Sequence, residues 1–525
     1  MTAPDVRPNP RGGMVAAGSA STADIAATIL ARGGNAIDAA VAACFGTAVG
    51  EPSLTSLAGG GMIIVREAET GRVSVCDCFA NAPRHPPGER LDYRAVDLDF
   101  GPTTQRFFIG AGAAAVPGVI PGLCTALERW GSMDLTDVVA PACDVLRAGA
   151  TMGDYQGFAL ALLGPILTDQ PPGRALFQRD GRLLTRGDHL ALPQLADHLE
   201  AMARSGWRTH YADVLGAAML AQFGPRAGGL LTPEDLADYE VYFKDALHLR
   251  YHGHDVYTMP ALGGAMVAIM LRLLAEDTSV AADETAEAHT RALCDAMAVA
   301  DEARPAGMAA LANFDPWRQR FAARRGEDAL RPAAIAPPRR SGPGNTTHIS
   351  VIDAAGNACG ITFSYGEGNG HFVGDAQIMM NNLLGEEDIV PGGPAHAPHG
   401  QRLTTMMSPT IICGPDGREM VLGSGGANRI RSAIVQAVRY LIDGRLSPEQ
   451  AVAAPRVHFE GGVLNAEVFD RADDGDGLMA LEAPELVRFT SPNMFFGGVH
   501  LVERQADGNL RGAGDPRRGG SLRRV

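Results

Sequence analysis

The chain has 525 residues, enough to bury a large core and ordinarily enough for more than one domain. Its net charge of −15 argues against a nucleic-acid partner or an anionic membrane surface, and no apolar run is long enough to span a bilayer. The eight cysteines are scattered, with Cys76 and Cys78 the only close pair, and they make no zinc pattern. They are expected to be reduced, mostly buried thiols of a cytoplasmic protein. The first seven residues, Met1 to Arg7, hold no apolar core of a signal peptide, which fits that expectation.

Residues 21–48 predict two short Ala-rich helices. Ser21 or Thr22 is the expected cap of the first, Gly33-Gly34 ends it, and Asn35 caps the second. So many small residues predict helices packed closely on a sheet. After Gly59-Gly60-Gly61, the stretches 62–65 and 73–75 flank a turn at Thr70-Gly71 and predict a hairpin. Residues 110–330 are mainly helical in pattern, with helices at 123–130 and 192–203 and a cap at Thr232 followed by Pro233. A strand pair over 247–259 turns at His252-Gly253-His254. Those two histidines are expected to be solvated turn residues, since no third ligand stands at a suitable spacing.

A Pro/Gly/Arg-rich run, 336–344, ends at Asn345-Thr346-Thr347-His348. From there the period changes to two. Hairpins are predicted over 349–353 with 358–364, 410–413 with 419–422, and 498–503 with 510–512, and a helix over 429–442. Hairpins mixed with packed helices imply layered antiparallel sheets with helices outside, an α+β architecture.

Three stretches have residues suited to chemistry. A flexible linker gives way to a strand at Thr346. A threonine hydroxyl needs an adjacent base. Chain cleavage before Thr346 would supply one, because a free α-amino group titrates near pH ~8. The alternative is a loop that merely runs into a strand beginning with Thr-Thr. Gly423-Ser424-Gly425-Gly426-Ala427-Asn428 leads into the 429 helix. It is either a set of backbone donors for an anion or oxyanion, or a tight turn without a ligand. Asn381-Asn382 followed by Glu386-Glu387-Asp388 reads as a loop whose charges are ordinarily solvated.

Taken in order, these stretches resemble the γ-glutamyltranspeptidase family of N-terminal-nucleophile hydrolases. The resemblance rests on 33–40, the glycines at 59–61, Val116-Pro117-Gly118, 231–239, Thr346-Thr347-His348, 407–410, Gly425-Gly426 and 514–517. It implies a four-layer αββα sandwich with an added helical region. It also implies a precursor that cuts itself between Asn345 and Thr346. A large subunit, 1–345, and a small one, 346–525, would together form one sandwich as a heterodimer, with a dimer of these left open. Thr346 would be nucleophile and, through its amino group, general base. Gly425 and Gly426 would form the oxyanion hole, and Ser364 would stand where the family has a Thr bonded to the nucleophile. The substrate would be a small amide or peptide-like molecule, with water or an amine as acceptor. No metal or organic cofactor is implied.

The departures lie at substrate recognition. Phe79 falls where the family has a carboxylate-binding Arg, with Arg84 nearby but out of register. Glu386 aligns with the carboxylate that grips the α-amino group, Gly366 replaces an Asn, and Thr405 and Met406 replace a serine pair. Loss of the bidentate Arg removes a contact worth ~1.5–3 kcal/mol. The expected function is therefore an amidohydrolase or acyltransferase acting on an amide outside the ordinary γ-glutamyl class. The alternatives are a genuine glutathione γ-glutamyl enzyme, a C–C bond hydrolase of a biosynthetic pathway, or an unprocessed ligand-binding homologue.

Overall fold

The structure, a computed structural model, describes residues 11–99, 104–277, 286–327, 329–333, 345–468 and 483–525. Met1 to Arg7 and the run 336–344 lie outside the described residues.

Two antiparallel sheets are stacked between helices. Their strands in chain order are β1 (Gly13–Ala17), β2 (Gly60–Arg66), β3 (Val73–Cys78), β4 (Tyr242–Asp245), β5 (Leu247–Tyr251), β6 (His254–Thr258), β7 (Thr347–Asp353), β8 (Ala358–Ser364), β9 (Thr410–Cys413), β10 (Glu419–Gly425), β11 (Gly498–Arg504), β12 (Leu510–Ala513) and β13 (Ser521–Arg524). The seven-stranded sheet runs β4-β3-β2-β8-β7-β1-β13, and the six-stranded sheet runs β5-β6-β9-β10-β11-β12. Strands β7 and β8 of the first sheet face β10 and β11 of the second.

Alternation along the strands builds two cores. On β2, Ile63 and Val65 face one way and pack with Ile25 and Val41 of the helices α1 (Ala20–Arg32) and α2 (Ala36–Gly50). Met62 and Ile64 face the other way and pack with Met420 and Leu422 of β10. The period of two therefore assigns one set to the helix layer and one to the sheet interface. On the far side, α3 (Leu262–Ala275) and α5 (Arg429–Ile442) cover the second sheet, and α4 (Ala286–Ala303) packs on α3. The result is the expected αββα order.

The expected hairpins and the 429–442 helix are present. One cap differs. Ser19, not Ser21 or Thr22, caps α1, its hydroxyl accepting from the Thr22 amide at 3.1 Å. His252 is exposed as expected, with Nδ1 2.9 Å from Asp443, but His254 is buried. All eight cysteines are free, and seven are buried. Among the described residues, no helix is long and apolar enough to cross a membrane.

The motif at 33–40 is a clamp between α2 and the segment at Trp130 and Ser132. Asn35 accepts from the amides of Ile37 and Asp38, and Asp38 accepts from the Asn35 amide at 2.8 Å, closing a capping box. Asp38, fully buried, also accepts from the Ser132 amide at 2.9 Å. Removing that carboxylate strands the buried Asn35 amide and takes the partner from the part-buried Ser132 and Met133 amides. Asp38→Ala is expected to cost ~3 kcal/mol or more, read as a lowered urea midpoint. An unchanged midpoint would contradict this reading of the clamp.

Candidate active site

Thr346 sits immediately before β7, whose neighbours in the sheet are β8 and β1. Its carbonyl oxygen packs against Gly425 at the end of β10, across the sandwich, where any Cβ would collide with it. Gly426 has φ +118, a conformation that L side chains rarely adopt, and a Cβ there would come 3.0 Å from the Gly497 Cα. The guanidinium of buried Arg518 donates to the Thr346 carbonyl at 3.4 Å. Arg518 follows the 514–517 motif, in which Asp515 pairs with Arg456 at 2.7 Å and Arg517 pairs with Glu467 at 2.5 Å. That buried network holds the turn that presents Arg518.

The residue before Thr346 is held at both of its polar backbone groups. The Ser364 hydroxyl donates to the Asn345 carbonyl, and the Gly366 amide donates to Ser364 Oγ at 3.0 Å. The Asn345 amide donates to the carboxylate of Glu367, which is buried and pushed up to about 8 by burial and by Asp388. Thr347 donates to Glu51, a second buried acid, which also accepts from Thr22 at 2.8 Å. Burial lifts Glu51 to about 7, against the pull of those two hydroxyls.

Asn345, Thr346 and Ser364 open onto a cleft of ≈ 510 Å³, counting the solvent at its mouth. Phe79, Glu386, Thr405 and Met406 line the same cleft. Phe79 comes in at the end of β3 because Gly59 and Gly60 let the strands approach. A Cβ on Gly60 would fall 2.6 Å from the Ala80 nitrogen and 2.7 Å from the Phe79 ring. The Tyr239 hydroxyl holds the Phe79 carbonyl at 2.8 Å, and Arg402 donates to it as well. Arg84 is turned away, half-exposed, with Asp238 at 2.5 Å.

Glu386 lies beside Gly366. A Cβ on Gly366, which has φ +71, would collide with Glu386 Oε1 and Asn382 Oδ1. A side chain at 366 would therefore require Glu386 and Asn382 to shift. Burial, Glu367 and Asp388 raise Glu386 well above the usual carboxylate range. Thr405 Oγ1 accepts from the Met407 amide at 3.2 Å, and the Thr405 carbonyl accepts from Gly263 at the start of α3 at 3.0 Å.

The structure thus gathers Phe79, Asn345, Thr346, Ser364, Glu386, Thr405 and Met406 around one cleft. In the uncut chain Ser364 reaches the Asn345 carbonyl. Gly425 and Gly426 stand behind Thr346, while Ala427 and Asn428 line the cleft. One expectation needs correction, that of a solvated loop at 381–388. Asn381 is buried and bonds the Ala58 and Ala115 carbonyls, Glu386 and Asp388 face the cleft, and only Glu387 of its acids is exposed.

Sequence reasoning missed Glu51, Glu367, Arg304 and Arg518. Glu367 had a signal, since it stands between glycines with φ +71 and +82 directly after a strand. Arg304, on the turn after α4, carries no motif and reaches the cleft only through tertiary packing.

The family model for Gamma-glutamyltranspeptidase matches residues 22–524. A glutathione hydrolase proenzyme of Escherichia coli is 30% identical over 96% of this chain and 90% of its own length. An acylase ACY 1 proenzyme of a Pseudomonas species is 31% identical over 95% of this chain and 91% of its own. The crystal structure of a cephalosporin acylase from Bacillus halodurans superposes with a TM-score of 0.81 at 22% identity, covering 100% of this chain and 99% of that one. With the match running through both sheets and the cleft between them, the chain belongs to the gamma-glutamyltranspeptidase family of hydrolases and acyltransferases.

Proposed function

We propose that the protein is a self-cleaving amidohydrolase or acyltransferase with an N-terminal threonine nucleophile, acting on an amide outside the ordinary γ-glutamyl class. The observation that carries this reading is the grip on Asn345. Ser364 donates to the carbonyl that Thr346 Oγ must attack, and Glu367 holds the amide of the same residue. Attack forms an ester and breaks the Asn345–Thr346 C–N bond, the hydroxyl proton passing to the Thr346 nitrogen, which leaves as the amine. Water then hydrolyses the ester, leaving a carboxylate on 345 and a free amino group on Thr346. The two fragments, 1–345 and 346–525, remain one sandwich, since β7 and β8 pair with β1 and β2.

In the cut protein the Thr346 amine takes the hydroxyl proton as Oγ attacks the substrate carbonyl, and the departing amine leaves with that proton. Water or a second amine then resolves the acyl-enzyme. Phe79 supports an acyl group without the amino-acid head, because an apolar ring gives no charge-assisted bond to a carboxylate. Similarity to a glutathione hydrolase of E. coli supports the second reading, a genuine γ-glutamyl enzyme.

Three outcomes test these readings. Incubation with an acyl p-nitroanilide should release nitroaniline and leave a transient acyl adduct on the 346–525 fragment by mass spectrometry. An adduct elsewhere would contradict the assigned nucleophile. Phe79→Arg should raise kcat/KM for γ-glutamyl-p-nitroanilide by about tenfold or more, relative to an uncharged acyl anilide. If the second reading holds, the unsubstituted protein already turns over γ-glutamyl anilide well and Phe79→Arg adds little.

The third concerns pH. Glu51 and Glu367 keep their protons above the range of an unfolded carboxylate, so the folded chain binds more protons and loses stability as pH rises. Buried His348 and His500 are depressed and act in the opposite sense below their ordinary value of 6.5. The window is therefore pH 6.5–8. Across it, the urea midpoint of Thr346→Ala should fall, and adding Glu367→Gln should flatten that fall.

A further inference from the structure

Residue 345 carries a nucleophile of its own. An asparagine side chain ends in an amide, and attack of its Nδ2 on the backbone carbonyl carbon of the same residue closes a five-membered ring. Alanine has no nitrogen there, and glutamine would have to close a six-membered ring. Both polar backbone groups of Asn345 are occupied, the carbonyl by the Ser364 hydroxyl and the amide by Glu367. Asn345 lines the cleft, and among the described residues no hydrogen bond holds its side-chain amide. With the backbone gripped at both groups, rotation about Cα–Cβ and Cβ–Cγ is all that is left to bring Nδ2 to the carbon.

The step that needs a nucleophile follows ester formation. Once Thr346 Oγ holds the acyl carbon of residue 345, two groups compete to release it: water entering the cleft, and Nδ2. The amide nitrogen is the weaker nucleophile, but it is tethered to the carbon that it attacks. Well-oriented groups of one molecule react as if present at ~10⁵–10⁸ M, which water cannot approach. Asn345, Thr346 and Ser364 are each 5% exposed, so water reaches this carbon from the cleft alone. The Ser364 hydroxyl serves either attack. It donates to the carbonyl oxygen on which negative charge gathers, and the Gly366 amide keeps it aimed, at 3.0 Å from Oγ.

We infer that Asn345 Nδ2 resolves the ester, so that the 1–345 fragment is released with a C-terminal succinimide. This inference rests on the self-cleavage reading and puts a side chain in place of water at one step of it. The C–Nδ2 bond forms as the C–Oγ bond breaks. One Nδ2 proton passes to the Thr346 amine and from there to Oγ, which returns the hydroxyl beside a free amine. No water is consumed. Water opens the imide afterwards, at either of its two carbonyls, and leaves asparagine or isoasparagine at 345. Asn345 is then a reacting residue and not only the place of the cut.

The test follows the full chain through cell-free synthesis by intact mass, beside Asn345→Ala and Asn345→Gln. The first fragments of the unsubstituted protein should have masses that sum to that of the uncut chain, and hydroxylamine should convert the new terminus to a hydroxamic acid. On ageing, the peptide ending at 345 should contain both asparagine and isoasparagine. Both variants should be cut more slowly by about tenfold or more, and their fragments should contain one added water from their first appearance. Glutamine keeps an amide for hydrogen bonding, so its failure to rescue the rate separates ring closure from a packing role. One added water from the first time point, with asparagine alone at 345, would overturn the inference. Undiminished cleavage in Asn345→Ala would do the same, and either result leaves self-cleavage standing. A chain that is never cut in any sample removes the self-cleavage reading and this inference with it.

Discussion

The two sheets meet where the Thr346 carbonyl rests on Gly425, and this contact fixes the candidate nucleophile's backbone. A polar stitch runs beneath it. His348 Nδ1 lies 2.7 Å from Thr362 Oγ1, His348 Nε2 lies 2.8 Å from Ser350 Oγ, and Ser350 donates across the sandwich to the His500 carbonyl at 3.0 Å. Burial keeps the imidazole neutral, so each partner meets a donor or acceptor and not a charge. Gly360 and Gly423 leave the room that the ring needs, since a Cβ at either would press on it. A buried histidine between sheets is tolerated only because its bonds are complete, and those bonds set the register in which Thr346 meets Gly425.

The second feature of the molecule is how its charges are distributed around that point. Acids cluster on the side of Asn345 and Glu386, where burial and mutual repulsion raise Glu367 and Glu386 above the usual carboxylate range. Cations stand behind Thr346, at Arg518, and on the Asn428 wall, at Arg304. Glu367, pushed up to about 8, accepts the Asn345 amide. The departures at Phe79 and Gly366 fit the same pattern. One removes a cation from the end of β3, and the other makes space for Glu386.

Much of this was legible in the sequence because local chemistry and global fold agree. The Asn35 cap, the Thr232 capping box and the Gly-containing turns are each decided within a few residues. The hairpins follow from a period of two, and Thr346 stands out because linker composition stops there. What was missed is non-local. β1, five buried residues without a polar alternation, reads as nothing until β7 and β13 flank it. The burial of 381–388 depends on contacts with Ala58, Ala115 and Phe108 far away in the chain. Arg304, Glu51 and Arg518 carry no motif, and only tertiary packing brings them to the cleft or the strand behind it.

The central claim is that Thr346 becomes an N-terminal nucleophile by cutting its own chain. Intact mass under denaturing conditions, on the purified protein beside Thr346→Ala, tests it most directly. The account predicts two fragments dividing between Asn345 and Thr346 in the unsubstituted protein and a single uncut chain in the variant. A single chain in both, or fragments that persist in Thr346→Ala, would contradict it.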